Sequence, residues 1–431
     1  MREEPTLDPG LYRRLAGLHG TPLFVYDGRG ITGALAELHR ALPAGVEVFY
    51  SLKANPNISV CSLLAAHGAH AEVSSLTELE TAVAAGVAPR DIIFLGPGKS
   101  RQELSACIDA GIYAVVAESF GELAELNRLA ARAGTRQRVL LRVNPAGATP
   151  GMRLAMGGRP RQFGIDEAQL MTAGPLGPRY SALRLAGWHG YLGTRILDPA
   201  TVVGNTARLL ALAERLSSAT GVGLEALDVG GGLGVAYHDG EQDPDLAELS
   251  TGLDAVVRPF RRRHPRTRLL FESGRYLVAR AGVYLTAVRY VKESMGQRFA
   301  VVDGGTHQHM AAVGVTSVTR RNFPVLMVER GAEPPVGDWQ LAGSLCTPND
   351  TIARNVPLPE LRPGDLIAIL RSGAYGPTAS PAAFLGQGAP AEVLVHEGRS
   401  LLVRDRDTAA DLLRKQRHYT FATDVPALAG T

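Results

Sequence analysis

From about residue 45 to residue 275 the chain repeats one pattern, a short apolar run followed by a longer Ala/Leu/Glu/Arg segment of helical spacing. The apolar runs, rich in Val, Ile, Leu and Phe, lie at 46–50, 71–73, 92–95, 114–117, 139–143, 185–192, 224–229 and 269–272. Segments 75–85, 101–110, 120–133, 201–218 and 247–263 between them predict helices. A strand without polar alternation needs both faces covered, which flanking helices do for parallel strands. Eight such units in about 250 residues is the size of a closed (β/α)8 barrel. An open doubly wound sheet is the runner-up, but no Gly-rich dinucleotide fingerprint follows the first run.

Beyond residue 276 the rhythm changes. Segments 282–291, 299–302, 324–328, 365–369 and 391–396 have strand character and are separated by Gly/Pro-rich turns, with a helical pattern only at 408–415. The chain therefore reads as α/β, with a barrel over 27–278. A mostly antiparallel β domain is expected from 1–26 and 279–431, and 431 residues suffice for two cores. A net charge of +3 gives no general attraction for nucleic acid. Cys61, Cys107 and Cys346 are odd in number and widely spaced, which argues against a disulfide framework and for a reducing, cytoplasmic setting. Neither a signal peptide nor an apolar run long enough to span a bilayer is read from the sequence, so no membrane partner is expected. Residues 149–162 read as a lid or a docking loop.

In such a barrel the chemistry gathers where strands end. Lys53 follows the first run on the short turn Ser51–Asn55, and Glu72 and Ser74 close the second. His189 and Tyr191 lie in the sixth, with Gly193 and Thr194 after it. Gly230, Gly231 and Gly232 follow the seventh, and the eighth finishes in Glu272, Ser273, Gly274 and Arg275. Lys53 is a candidate Schiff-base amine if desolvation or a nearby cation lowers its pKa; the alternative is a solvated loop lysine. The glycines can bring backbone N–H groups close to a phosphate or simply make a tight turn, and Arg275 suits the same phosphate or a surface ion pair. Glu272, at the end of a buried strand, needs a partner, either a protonated ring nitrogen or a neighbouring arginine. His307 and His309 stand two apart without further ligands at suitable spacing, so no metal site is expected.

Taken in order, these segments resemble the fold-type III pyridoxal-phosphate decarboxylases, the group of diaminopimelate and ornithine decarboxylases, over nearly the whole chain. FYSLKANPN (49–57) is similar to the family's cofactor-lysine motif, AEVSSLTE (71–78) to the next rim segment, DVGGGL (228–233) to its phosphate-binding glycines and ESGR (272–275) to its ring-nitrogen and phosphate motif. GSLCTPND (343–350) and GAYG (373–376) are similar to two segments of its β domain. The resemblance implies pyridoxal 5'-phosphate held by Lys53 near Glu72, a ring nitrogen paired with Glu272, and a phosphate bound by Gly231, Gly232, Gly274, Arg275 and Tyr375. It also implies that Cys346 enters the other subunit's active site as proton donor, hence a homodimer with shared sites.

Departures from the family bear on the substrate. Relatives acting on basic amino acids follow the β-domain cysteine with an acid; here Thr347 and Pro348 follow Cys346. The family's His-x-His becomes His189-Gly190-Tyr191, its Lys-Phe-Gly becomes Gln162-Phe163-Gly164, and Ala383 to Gln387 replaces a Tyr-Asn element. DGGTHQHMAA (303–312) and residues 346–350 and 384–387 resemble a biosynthetic-cluster subgroup whose substrate is an aminoacyl group, such as glutamyl, on an acyl-carrier protein. That resemblance places Thr347, Asp350 and His307 beside the substrate, with His189, Tyr191 and Thr194 beside the cofactor. Arg258, Arg261, Arg262, Arg263, Arg266 and Arg268 form a basic cluster suited either to steering an acidic carrier or to a solvated helix end. The expected activity is a carboxy-lyase acting on an amino acid or aminoacyl thioester. Rivals are a decarboxylase of free diaminopimelate, ornithine or lysine, an amino-acid racemase, and a non-catalytic cofactor-binding protein.

Overall fold

The computed structural model describes residues 7–147, 160–313 and 321–419, so most of the 149–162 segment lies outside the described residues. After the helix Pro9–His19 comes β1 (Leu23–Asp27). The chain then runs through β2 (Val46–Ser51), β3 (His70–Val73), β4 (Ile92–Phe94), β5 (Ala114–Ala117), β6 (Gln137–Asn144), β7 (Ile165–Asp166), β8 (Leu183–His189), β9 (Ala226–Gly231) and β10 (Arg268–Ser273). Apart from the two-residue β7, which branches from β6, these strands form a closed ring of parallel pairs, with β6 beside β8 and β10 beside β2. The expected barrel is thus present.

Alternation along the strands sorts its side chains into layers. Phe49, Ile93, Val116, Leu140, Ala186, Ala226 and Leu270 pack together as an apolar plug inside the barrel. Their strand neighbours Val48, Tyr50, Val139, Leu141, Leu269 and Phe271 face the surrounding helices in the larger core. Two residues before the plug, Glu47, His70, Asp91 and Arg268 form a charged layer, with Arg268 2.6 Å from Glu47 and His70 3.0 Å from Glu47. Two residues after it, Glu72, Arg142, Asp228 and Glu272 form a second buried polar layer at the carboxyl ends of the strands.

The second sheet contains β11 (Gly282–Ser294), β12 (Gln297–Val302), β13 (Val325–Met327), β14 (Gly337–Ala342), β15 (Thr351–Leu358), β16 (Leu366–Ile369), β17 (Ala391–His396) and β18 (Arg399–Arg404). Pairing is antiparallel except for β1 with β17 and β12 with β14. β1 sits between β11 and β17, so the segment before the barrel is part of this sheet. No helix among the described residues is long and apolar enough to cross a membrane.

Two barrel strands end two or more residues from where expected. The sixth run stops at His189, so Tyr191 lies in the following loop rather than within the strand. A bulge before Gly187 turns Trp188 outward to Ser217 and leaves His189 facing inward. The seventh extends to Gly231, because pairing with Glu272 continues past a register shift. β14, β15 and β18 had no counterpart in the sequence reading.

Burial alone would raise the Glu47 carboxyl, but His70 and Arg268 outweigh it and bring it from 4.5 down to about 2. Its stabilising effect is therefore complete above about pH 4.5 and is lost as pH falls toward 2. Glu47→Gln should lower the Tm at neutral pH by roughly 1–3 °C. In calorimetry the gap to the native protein should shrink steadily on acidification below about pH 4.5.

Candidate active site

Lys53 rides on a single 3-10 turn, Leu52–Ala54, immediately after β2. That turn is tied to the second sheet, since Tyr375 N–H donates to the Ala54 carbonyl at 2.7 Å and Asn55 Nδ2 to the Gly373 carbonyl at 3.1 Å. Lys53 Nζ donates to both oxygens of Glu72, at 3.3 and 3.2 Å. The Glu72 side chain is inaccessible while 41% of Lys53's remains exposed, so the lysine can be approached from the barrel mouth. Desolvation opposes the charge on Lys53, but Glu72, and then Glu272, outweigh it and hold the amine above its ordinary pKa. The expected lowering does not occur, because the nearby charges are carboxylates rather than a cation. Lys53 is thus held by Glu72 rather than free in solvent, although part of its side chain is exposed.

Across the barrel mouth, His189 Nε2 lies 2.8 Å from Glu272 Oε1. The second oxygen of Glu272 is buried without a donor. Burial opposes the charge of Glu272, yet the His189 contact, with Lys53 and Arg142, lowers its pKa. Of the two partners considered for Glu272, the arginine's place is taken by His189, and the ring nitrogen stays open. Tyr191, in the loop after β8, presents its ring 5.8 Å from Lys53 Nζ. Its phenol is pushed up to about 12, chiefly by burial, with nearby Lys53 and Thr194 pulling the other way. One atom each of His189, Asp228 and Glu272 lie within 4.8 Å of one another.

The glycines are required by packing. A Cβ on Gly231 would stand 1.8 Å from the Glu272 carbonyl oxygen, and one on Gly232, at φ +87°, 2.0 Å from that of Gly193. Gly274 packs on the lysine turn, where a Cβ would meet that of Ala54 at 2.9 Å. These contacts let three strand ends and the turn converge. Arg275 is buried, its Nη1 donating to the Tyr237 hydroxyl at 3.1 Å and its guanidinium 4.6 Å from the Tyr375 ring. Its Nε has no partner, and among the described residues no carboxylate pairs with it. The surface ion pair is excluded.

Cys346 and Thr347 stand on the loop between β14 and β15, where Cys346 is exposed and Cys61 and Cys107 are buried elsewhere. Asp350 does something other than expected. Its Oδ1 accepts from Thr306 N–H and Oγ1, at 2.7 and 2.9 Å, and its Oδ2 from Leu345 N–H at 2.8 Å. Asp350 is buried and its oxygens are turned to Thr306 and Leu345, which clamps the loop that carries Cys346. His307, also expected beside the substrate, is wholly buried; desolvation lowers its pKa, with Asp350 opposing.

The basic cluster is largely spent on structure. Arg258 pairs with Asp254, Arg263 with Glu214 and Arg268 with Glu47, while Arg261 donates to the Gly45 carbonyl. It also lies at the amino ends of the barrel strands, opposite Lys53, so it gives no support to carrier docking at this site. Asp228, Arg142 and Tyr237 went unassigned in the sequence reading. Asp228 and Arg142 were detectable as charges two residues beyond apolar plug positions.

The donor set fits the phosphorylated cofactor that the resemblance implies: a reachable amine, an orphaned carboxylate oxygen and a buried guanidinium without a carboxylate. Arg275→Ala should weaken pyridoxal phosphate binding by about 10- to 100-fold, the scale of a lost charged hydrogen bond, in an absorbance titration of the apoprotein.

Residues 29–279 match the family model for the pyridoxal-binding domain of pyridoxal-dependent decarboxylases. An L-glutamyl-(BtrI acyl-carrier protein) decarboxylase of Niallia circulans is 36% identical over 92% of this chain and 94% of its own length. A diaminopimelate decarboxylase of Methanothermobacter thermautotrophicus is 33% identical over 93% of each. The crystal structure of Helicobacter pylori diaminopimelate decarboxylase with L-lysine superposes with a TM-score of 0.84 at 27% identity, over 94% of this chain and 98% of that one. With its barrel, its second sheet and the residues on its rim, the chain belongs to the pyridoxal-dependent decarboxylases and is a carboxy-lyase that uses pyridoxal phosphate.

Proposed function

We propose that the substrate is an aminoacyl thioester on a carrier protein, glutamyl-like in its acyl group, decarboxylated within a biosynthetic pathway. The observation that carries this is the chemistry of the Cys346 loop. Thr347 and Pro348 follow the cysteine, and the one acid between 343 and 350, Asp350, is buried with its oxygens turned to Thr306 and Leu345. The distal ammonium of free diaminopimelate, ornithine or lysine would meet no carboxylate there, at a cost of about 1–3 kcal/mol. The Niallia circulans relative, named for a carrier-bound glutamyl substrate, supports the same direction. A free amino acid is the second reading, favoured by the diaminopimelate decarboxylases among the relatives.

Pyridoxal phosphate, when bound, supplies an aldehyde carbon for amines and a ring that takes up the electron pair left as carbon dioxide departs. Lys53 would carry it, with Glu72 holding the amine and its proton. Glu272 would keep the ring nitrogen protonated, a role that favours decarboxylation over racemisation. Tyr191 rather than His189 would lie against the ring, since Tyr191 faces Lys53 while His189 is engaged edge-on with Glu272. Gly231, Gly232, Gly274, Arg275 and Tyr375 would hold the phosphate, and Thr194 would orient Tyr191. Cys346 would deliver its thiol proton to the substrate carbon in the other protomer's site, making the working unit a homodimer. We assign 27–278 to the cofactor unit and 1–26 with 279–431 to the unit that supplies Cys346, in a cytoplasmic enzyme.

Two measurements test this. Mass spectrometry should show loss of carbon dioxide from carrier-bound glutamate, and far slower loss from free diaminopimelate, ornithine or lysine; the reverse preference would sink the thioester reading. Mixing inactive Lys53→Ala and Cys346→Ala subunits should restore about a quarter of native activity, since half the random dimers regain one intact site. No recovery from exchanged dimers would place Cys346 outside a shared site.

A further inference from the structure

Asp228 has no task in the chemistry above. It is wholly inaccessible; Oδ1 accepts from Gly230 N–H at 2.8 Å, and Oδ2 has no donor. Beside it, Glu272 shows the same deficit, with Oε1 on His189 and Oε2 without a donor. An oxygen of each carboxyl lies within 4.8 Å of the other. Two anions so placed, away from water, repel strongly, and each leaves a buried acceptor unsatisfied. One proton between them removes both costs.

The surroundings decide which residue keeps it. Glu272 has His189 from β8 at hydrogen-bond distance and feels Lys53 after β2 and Arg142 from β6. Around Asp228 the charged neighbours are Glu272 from β10 and Glu72 from β3, while His189 from β8, within 4.8 Å, is engaged by Glu272, and among the described residues no cation pairs with Asp228. Burial first, then these two carboxylates, raise its pKa well above the ordinary value of 3.8, against the pull of Gly230 N–H.

We propose that Asp228 is a positioning residue, protonated at neutral pH, whose hydroxyl donates to Glu272 and holds that carboxylate charged and oriented for the cofactor's ring nitrogen. The purpose rests on the reading of Glu272 given above; the proton itself does not. Each Glu272 oxygen keeps a second lone pair, so contacts to His189 and Asp228 still leave an acceptor for the cofactor. Asparagine is the diagnostic substitution, because its amide can donate to Glu272 and accept from Gly230 without titrating.

The apoprotein gives the first readout. The stability that comes with a neutral buried Asp228 is complete below about pH 3.8 and is lost as pH rises toward the raised folded value. In urea unfolding between about pH 5 and 7, the native unfolding constant should therefore rise about tenfold more per pH unit than that of Asp228→Asn. Equal slopes would overturn the proposal. The second readout is pyridoxal phosphate affinity, which Asp228→Ala should weaken by about tenfold and Asp228→Asn should largely recover. An asparagine variant as weak as the alanine one would also overturn it, and so would a stoichiometric divalent metal in the purified native protein. Should Asp228→Ala fail to fold, the native and asparagine proteins suffice for the unfolding test. A slope difference without any affinity difference would leave the proton on Asp228 and remove Glu272 as the ring-nitrogen partner.

Discussion

The pairing of β10 with β2 closes the barrel, and the reactive geometry depends on it. Its register sets Glu272 opposite Phe49 and Ser273 opposite Tyr50, so the strand carrying the carboxylate ends beside the turn carrying Lys53. These residues are more than 200 positions apart in the chain, and only closure of the ring brings them together. Gly274 makes the last step possible, since any larger residue would push the Lys53 turn away from β10. A parallel ring with an apolar plug supplies the rigidity that such a juxtaposition needs.

Above that plug the barrel tolerates an unusual density of buried charge. Glu72, Asp228 and Glu272 lie inside one layer with Arg142 and His189, all nearly inaccessible. Buried carboxylates are expensive unless paired or neutralised. Here the compensation is unequal. Lys53 serves Glu72, His189 serves Glu272, and Asp228 has a single backbone N–H. That inequality separates the protonation states of three chemically similar groups, which is how one site can hold both a charged acceptor and a neutral donor.

Much of this was legible in the sequence. The apolar runs located eight barrel strands to within a few residues, because strands covered on both faces cannot hide polar positions. The order of motifs carried the cofactor and the reaction class. Three kinds of information were not local. The bulge before Gly187 depends on pairing with β6 and β9, so nothing at 185–192 alone showed that His189 would face inward and Tyr191 leave the strand. The sign of the Lys53 shift depended on two carboxylates from other strands. Asp350 looked available because its partners, Thr306 and Leu345, become neighbours only through the folding of the second sheet. The basic cluster, open between a docking patch and a helix end, is decided toward the second partly by acceptors distant in the chain, Glu214, Glu47 and the Gly45 carbonyl.

The main-chain hydrogen bond from Tyr375 to Ala54 also has an architectural meaning. It joins the cofactor-bearing turn to a loop more than 300 residues downstream, through backbone atoms that every residue except proline carries. Side-chain exchange at either position leaves that strut standing, whereas inserting or deleting a residue in the distant loop would tug on the lysine directly. The loop's length is therefore constrained more tightly than its composition, and the barrel is not a self-sufficient module that could be excised or transplanted with its reactive amine still in place.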